Sequence, residues 1–497
     1  MGLIERNLIK VIEPIFDGHW LRKDALVSSN TSMKLGSASA AFGRKGSTPV
    51  LLTPRQRLSH SASFGASGAG KTVQQRGVEI HDIKNRLPTM KIELHDAVDK
   101  LLRVIARGVI SGEIDEDIVN DIWVVSPGYS SWYVTVNPLH CPSPELAPVK
   151  IAAMMRLLRS VWGNTLGPQT HEFTQNLLIL MAERNLPLAS ITGLVSDKMA
   201  LRAHSMNLLN VPAREYFLTR FLTWSSKRQS QVMEAFLNKV TIFLSDPRIA
   251  AMLSASSPDI NFRSIIDQKK TVLIEISKAQ FFDSAGLLAA MILIDLLQAV
   301  FSREDIPEDK RHPFFINIDE FPSFAAALPA TTFLNETRKY GCGVTLVSQT
   351  FASLDRDLLS SIRTNCYTQL YFRLSPEDAK VAVAGLQGEA RDLLAKELVS
   401  LPTGTAILML GGAPPQRLQI ENIPVPDRLS NREKEIIDRI RKNVGSPLDL
   451  TTGGMPSVAT TVSTIPPSPV VAAKPKKPSS ARKSAKKVSD DFVEGDV

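Results

Sequence analysis

The chain has 497 residues, of which 43% are hydrophobic and 22% charged, and a net charge of +8. That length exceeds one compact core, and the composition excludes a fibrous or wholly unfolded protein, so two or three globular domains are expected. Its three cysteines, Cys141, Cys342 and Cys366, have no metal-type spacing and are too few for a disulfide framework, which predicts reduced thiols and a cytoplasmic setting.

Residues 1–46 interleave charges with apolar residues, show no secretory signal, and pass into small and polar residues; they read as a lead-in. Pro49 to Thr53 (PVLLT) suggests a short strand. Ser59 to Phe64 (SHSASF) is the strand entering the next loop, and it is unusually polar for a central parallel strand. The loop, Gly65 to Thr72, reads GASGAGKT: glycine, four residues, glycine, lysine, then serine or threonine. In this pattern Gly65, Ser67, Gly68, Ala69 and Gly70 curl backbone amides around a polyphosphate, Lys71 neutralises the β and γ phosphates, and the Thr72 hydroxyl ligates Mg2+. A glycine-rich surface turn can carry the same letters, so the octapeptide calls for a second motif.

Apolar residues at steps of three and four predict a helix from Val73 to Leu87, stopped by Pro88, and Met90 to Leu94 (MKIEL) then makes a strand. Strand, loop, helix and strand together have the length of a right-handed crossover. His95 to Ile110 reads as a further helix and Ile122 to Val125 as a third strand. Residues 144–247 change to long helical periodicities, an all-α insertion in an α/β domain made of 47–143 and 248–425. Strand character resumes at Thr271 to Ile276. The apolar run Ala285 to Phe301 is short for a membrane span and carries Asp295 and Gln298, so a helix packed on the sheet is predicted.

His312 to Phe324 (HPFFINIDEFPSF) is an apolar strand ending in Asp319 and Glu320. A phosphate-loop ATPase needs such a pair, one carboxylate for Mg2+ and one to activate the attacking water, so the two motifs together predict ATP binding and hydrolysis. Val344 to Ser348 is another strand, with Gln349 at its end, able to sense the γ-phosphate or orient water. Arg338 stands on the helix before that strand, where an arginine can stabilise transition-state charge across a subunit boundary, or simply lie in solvent.

The ordered run FFINIDEFPSF, RKYG, LVSQTFASL and IRTNCYTQLYFRLSPEDA resembles the HerA and FtsK superfamily of hexameric DNA-pumping ATPases, and within it the type IV coupling proteins of bacterial conjugation. The likeness spans roughly Arg55 to Pro424. It implies a RecA-like P-loop ATPase with a mainly parallel sheet, Lys71 and Thr72 on phosphate and Mg2+, Asp319 on Mg2+, Glu320 as general base, Gln349 as sensor, and Arg338 as a finger acting on a neighbour. It also implies a homohexamer that moves double- or single-stranded DNA toward a relaxase or secretion channel. The chain departs from the family in three ways. The strand entering the phosphate loop, Ser59 to Phe64, is more polar than the family's habit. No membrane-spanning helices are visible at its start, so attachment to the inner face of the membrane is expected only through partners. IELHDAV replaces the family's Asp-Pro-Lys-Gly-Asp type of turn, which leaves Asp96 without a role. Two other readings stay open: a HerA-like processing or defence ATPase working with a nuclease, and a nucleotide-controlled cargo receptor.

Residues 426–445 contain a charged surface helix (NREKEIIDRIRK). Residues 446–497 are rich in Pro, Ser, Thr, Ala and Lys and read as a disordered basic tail. From Thr451 onward the tail holds seven basic and four acidic residues, three of the eight net charges, and its lysines suit nonspecific contact with DNA phosphates.

Overall fold

The computed structural model describes residues 32–39, 47–129, 131–163, 166–325 and 330–448. The remaining lead-in and nearly all of the basic tail lie outside the described residues.

A single large sheet organises the rest. Its strands are β1 (Met33–Ser39), β2 (Ser47–Leu52), β3 (Ser61–Phe64), β4 (Thr89–Glu93), β5 (Ile122–Val125), β7 (Thr271–Glu275), β8 (Phe314–Ile318), β9 (Cys342–Ser348), β10 (Thr368–Tyr371), β11 (Thr405–Leu410) and β12 (Gln416–Gln419). Their order is β2-β1-β12-β11-β10-β3-β9-β8-β4-β7-β5. The run from β10 to β5 is parallel, and β11, β12, β1 and β2 extend it antiparallel. The predicted strands fall where the alternation of apolar and turn residues put them. β1 is an addition, since it lies inside the stretch read as lead-in and pairs with β2 and β12.

The polar character of β3 has a local explanation. Its Ala62 and Phe64 are fully buried, and Ser63 at 1% exposure is small enough for the helix that covers the sheet to approach closely. That helix, α1 (Lys71–Lys84), crosses from β3 to β4 over the two strands between them. Periodicity marks Val73, Gly77, Ile80, Ile83 or Lys84, and Leu87; of these the helix buries Ile80 and Ile83, and it also buries Glu79 and Asp82. Each has a partner: Asp82 takes two hydrogen bonds from Arg57, at 2.5 and 2.7 Å, and Glu79 accepts one from Lys91 of β4 at 2.7 Å. Arg57 also lies 3.7 Å over the Phe315 ring, so its charge is covered on both sides.

The helical stretch between the short strand β6 (Trp132–Tyr133) and β7 includes helices Ala147–Trp162, Pro168–Glu183 and Ser226–Leu244. Its buried Phe173, Leu177 and Phe236 belong to the same continuous core as Ile92, Ile316 and Leu346 of the sheet. Two more helices matter here, α2 (Ala97–Ile110) and α3 (Asp283–Phe301). The region of α3 is long and apolar enough to cross a membrane, with a mean hydropathy of 2.0, but α3 sits in the core: Leu288, Ala289, Leu293 and Leu296 are fully buried. Its mid-helix carboxylate, Asp295, is paired at 2.6 Å with the fully buried Lys150.

The charged helix α4 (Asn431–Arg441) does more than face solvent. It starts with a capping box between Ser430 and Glu433 and lays Ile436, Ile437 and Ile440 on α2 and β5, closing that edge of the sheet. The stretch read as tail also begins with structure, because Ser446–Pro447 pair antiparallel with β6.

Candidate nucleotide site

The phosphate loop leaves the C-terminal end of β3 between its two neighbours. Gly65 N donates to Ser348 O of β9 at 3.3 Å, and Ala66 N donates to Arg373 O at 2.8 Å, so the loop starts as an extension of the sheet. Two of its glycines are required by conformation. Gly68 and Gly70 have φ of 71° and 119°, and a Cβ on Gly70 would stand 3.1 Å from the Gly404 backbone. Ser67 and Thr72 are exposed on the rim, and Ala69 is buried beneath.

A cavity of about 430 Å³ opens there, lined by Ser67, Gly68, Gly70, Lys71, Thr72, Asp319, Glu320 and Gln349. Lys71 and Thr72 form the first turn of α1, so the helix's positive end faces the cavity. The Lys71 ammonium folds back on the loop and donates to Gly65 O and Ala66 O. Burial lowers its pKa, while Asp319 and Glu320 nearby oppose that shift. The amine is therefore held beside two carbonyls that an incoming phosphate can replace.

Both carboxylates come from the end of β8. Asp319 N continues the ladder to Ile92 O of β4 at 3.0 Å, and Asp319 Oδ1 accepts from Glu320 N at 2.9 Å. Glu320 adopts φ of 50°, and the chain turns back so that Phe321 N donates to Val347 O of β9 at 3.0 Å. A left-handed glutamate costs on the order of 1–3 kcal/mol, and here it sets the carboxylate over the cavity. Gln349 Nε2 donates to Glu320 Oε2 at 3.0 Å. The five residues singled out from distant parts of the sequence thus meet in one place.

Arg338 does not join them. It lies on a short helical turn, Thr337–Tyr340, before β9, whereas the phosphate loop follows the parallel β3, so it sits at the other end of the strands. The seven residues of β9 separate the two by about 20 Å. There Arg338 lines a second cleft of about 780 Å³ together with His60, Asn335, Arg363 and Asn365. Its guanidinium makes no hydrogen bond or ion pair with another described residue, and Glu336 pairs with Lys339 instead.

The residues fit a magnesium nucleotide. Thr72 and Asp319 offer hard oxygen donors, and among the described residues no three His, Cys, Asp or Glu side chains cluster closely enough to hold a metal unaided. Two such donors suffice for Mg2+, which keeps several waters and draws other ligands from phosphate oxygens. Among the cavity residues that sequence reasoning overlooked, one is an acid. Glu93, at the end of β4, is fully buried, and burial pushes its carboxyl up to about 8. Its only signal in the sequence was a charge ending an apolar strand.

No protein-family model and no curated protein sequence matches the chain. Solved structures do match. The bacterial conjugative coupling protein TrwBdeltaN70, unbound, superposes with a TM-score of 0.51 at 16% identity, over 77% of this chain and 89% of its own. The plasmid coupling protein TrwB in complex with ADP and Mg2+ gives 0.51 at 15% identity, over 80% and 96%. VirB4 of Thermoanaerobacter pseudethanolicus gives 0.52 at 12% identity, over 79% and 96%. The chain has the fold of the RecA-like P-loop ATPases. In that fold the phosphate-loop strand β3 lies beside β9, which carries Gln349, and β8, which carries the carboxylates, comes next. At these identities the likeness is one of fold, and the chemistry rests on the cavity itself.

Proposed function

We propose that the protein is an ATPase of the coupling-protein kind, which hydrolyses ATP to move DNA toward a conjugative or type IV secretion machinery. The observation that carries the enzymatic half is the convergence of Lys71, Thr72, Asp319, Glu320 and Gln349 on one cavity, with Gln349 already bonded to Glu320. Lys71 and the loop amides hold the β and γ phosphates. Thr72, and Asp319 through water, would hold Mg2+, which when bound would neutralise phosphate charge. Glu320 accepts the proton of the attacking water, and Gln349 keeps its carboxylate aimed and reports the γ-phosphate. Arg338, too far from its own chain's loop, completes the site of a neighbour in a homohexamer. The basic tail adds nonspecific grip on DNA, the location is cytoplasmic, and a relaxase or channel protein brings the ring to the membrane.

Phosphate release measured with and without single- and double-stranded DNA tests this. Lys71→Ala should abolish nucleotide binding, and Glu320→Gln should lower turnover by about 100-fold or more while nucleotide still binds. Wild-type turnover that ignores DNA would end the translocase reading and leave a nucleotide-controlled receptor.

A further inference from the structure

The end of β4 is the part of the cavity that the ATPase reading leaves without a task. Lys91 and Glu93 share the face of β4 that carries α1, since Lys91 bonds Glu79 of that helix. In register Glu93 stands beside Glu275 of β7 on one side and, one step beyond the Ile92 and Ile318 pair, beside Asp319 on the other. Its two oxygens differ. Oε1 accepts from Val98 N in the first turn of α2, at 2.5 Å, where the N-cap residue Asp96 makes no side-chain cap of its own. Oε2 is buried with no hydrogen-bond partner among the described residues, although the side chain lines the cavity beside Thr72 and Asp319.

A cap for α2 needs one oxygen, so the second has no structural use, and a buried acceptor left without a donor is unfavourable. What this cavity can still bring to an idle acceptor is a donor carried in by the ligand. Resting on the nucleotide reading of the site, we propose that Glu93 is a positioning residue for Mg2+: when a magnesium nucleotide occupies the cavity, the ion's charge favours the ionised side chain, and Oε2 accepts a hydrogen bond from a water in the ion's shell. Asp319 and Glu93, on adjacent strands, then orient that shell from two sides, and Oε1 ties the arrangement to the start of α2.

Glu93→Gln separates this role from capping, since glutamine keeps an oxygen for Val98 N and loses only the second acceptor. The measurement is the affinity of the full chain for ADP by calorimetry, in excess Mg2+ and in excess EDTA, with a thermal melt of each variant. Wild type should gain affinity from Mg2+. Glu93→Gln should melt as wild type does and bind metal-free ADP within about twofold of it, but lose about tenfold or more of the magnesium-dependent gain, the size expected for an outer-shell partner. An undiminished magnesium gain in Glu93→Gln overturns the proposal, and so does an equal loss with and without the metal, which would mark a structural cap. Should wild type bind no ADP under either condition, the nucleotide reading fails and this inference falls with it.

Discussion

At the scale of single residues, the two ends of the parallel strands impose opposite demands on charge. At the C-terminal ends, Lys71, Asp319 and Glu320 line one cavity, and a left-handed Glu320 is tolerated because the turn back to β9 holds it. At the N-terminal end of β3, His60 is the opposite case, a titratable group that must stay neutral. It is 1% exposed, its Nδ1 accepts from Val344 N at 3.1 Å, and burial lowers its pKa from 6.5 to about 4, with Arg338 adding to the shift. The unfolded chain takes up this proton near pH 6.5 and the folded chain only near pH 4. The stability it contributes is therefore complete above pH 6.5 and is lost as the pH falls through that window, by up to roughly 3 kcal/mol. His60→Asn, whose Oδ1 can take the Val344 amide and whose type tolerates the φ of 58° found there, should flatten the pH dependence of the urea midpoint between pH 6.5 and 4. Parallel curves for the two proteins would refute it.

At the scale of elements, the phosphate loop is positioned by what lies under it. Helix α1 is anchored to the sheet by Asp82 with Arg57 and Glu79 with Lys91, all four side chains nearly inaccessible. Such pairs add little compared with apolar packing, but breaking one strands a buried charge. Asp82→Ala should cost about 3–5 kcal/mol in urea denaturation, while Asp115→Ala, an exposed partner of Arg86, should cost under about 1 kcal/mol. Equal costs would mean that the pair under α1 is not a structural anchor. This anchoring was illegible beforehand for a physical reason: periodicity detects apolar faces, and here half of the inner face is charged and satisfied by residues elsewhere. The same limit hid Glu433, whose burial against Arg107 makes α4 an edge cover.

For the whole molecule, the central issue is the distance between Arg338 and the loop that follows β3. An arginine at the far end of the strands serves catalysis only through another copy. Arg338→Ala should reduce turnover by about 100-fold or more without changing nucleotide affinity, in line with the weight of such arginines in phosphoryl transfer. Mixing Arg338→Ala with Lys71→Ala should restore part of the activity, because one protein keeps an intact cavity and the other an intact arginine. A mixture no more active than its components would rule out action between subunits.

The sequence by itself determined the α/β class, nearly every strand of the parallel sheet, the helical stretch before β7 and the two halves of the site, because alternation, helical spacing and the GASGAGKT and DE motifs are local signals. Only the tertiary structure decided that Gln349 bonds Glu320, that Arg338 stands apart, that β1 joins the sheet, and that Glu93 enters the cavity with an unused oxygen. Each of those depends on which strands are neighbours in space. That order, β3 beside β9 and β8 beside β4, joins residues hundreds of positions apart.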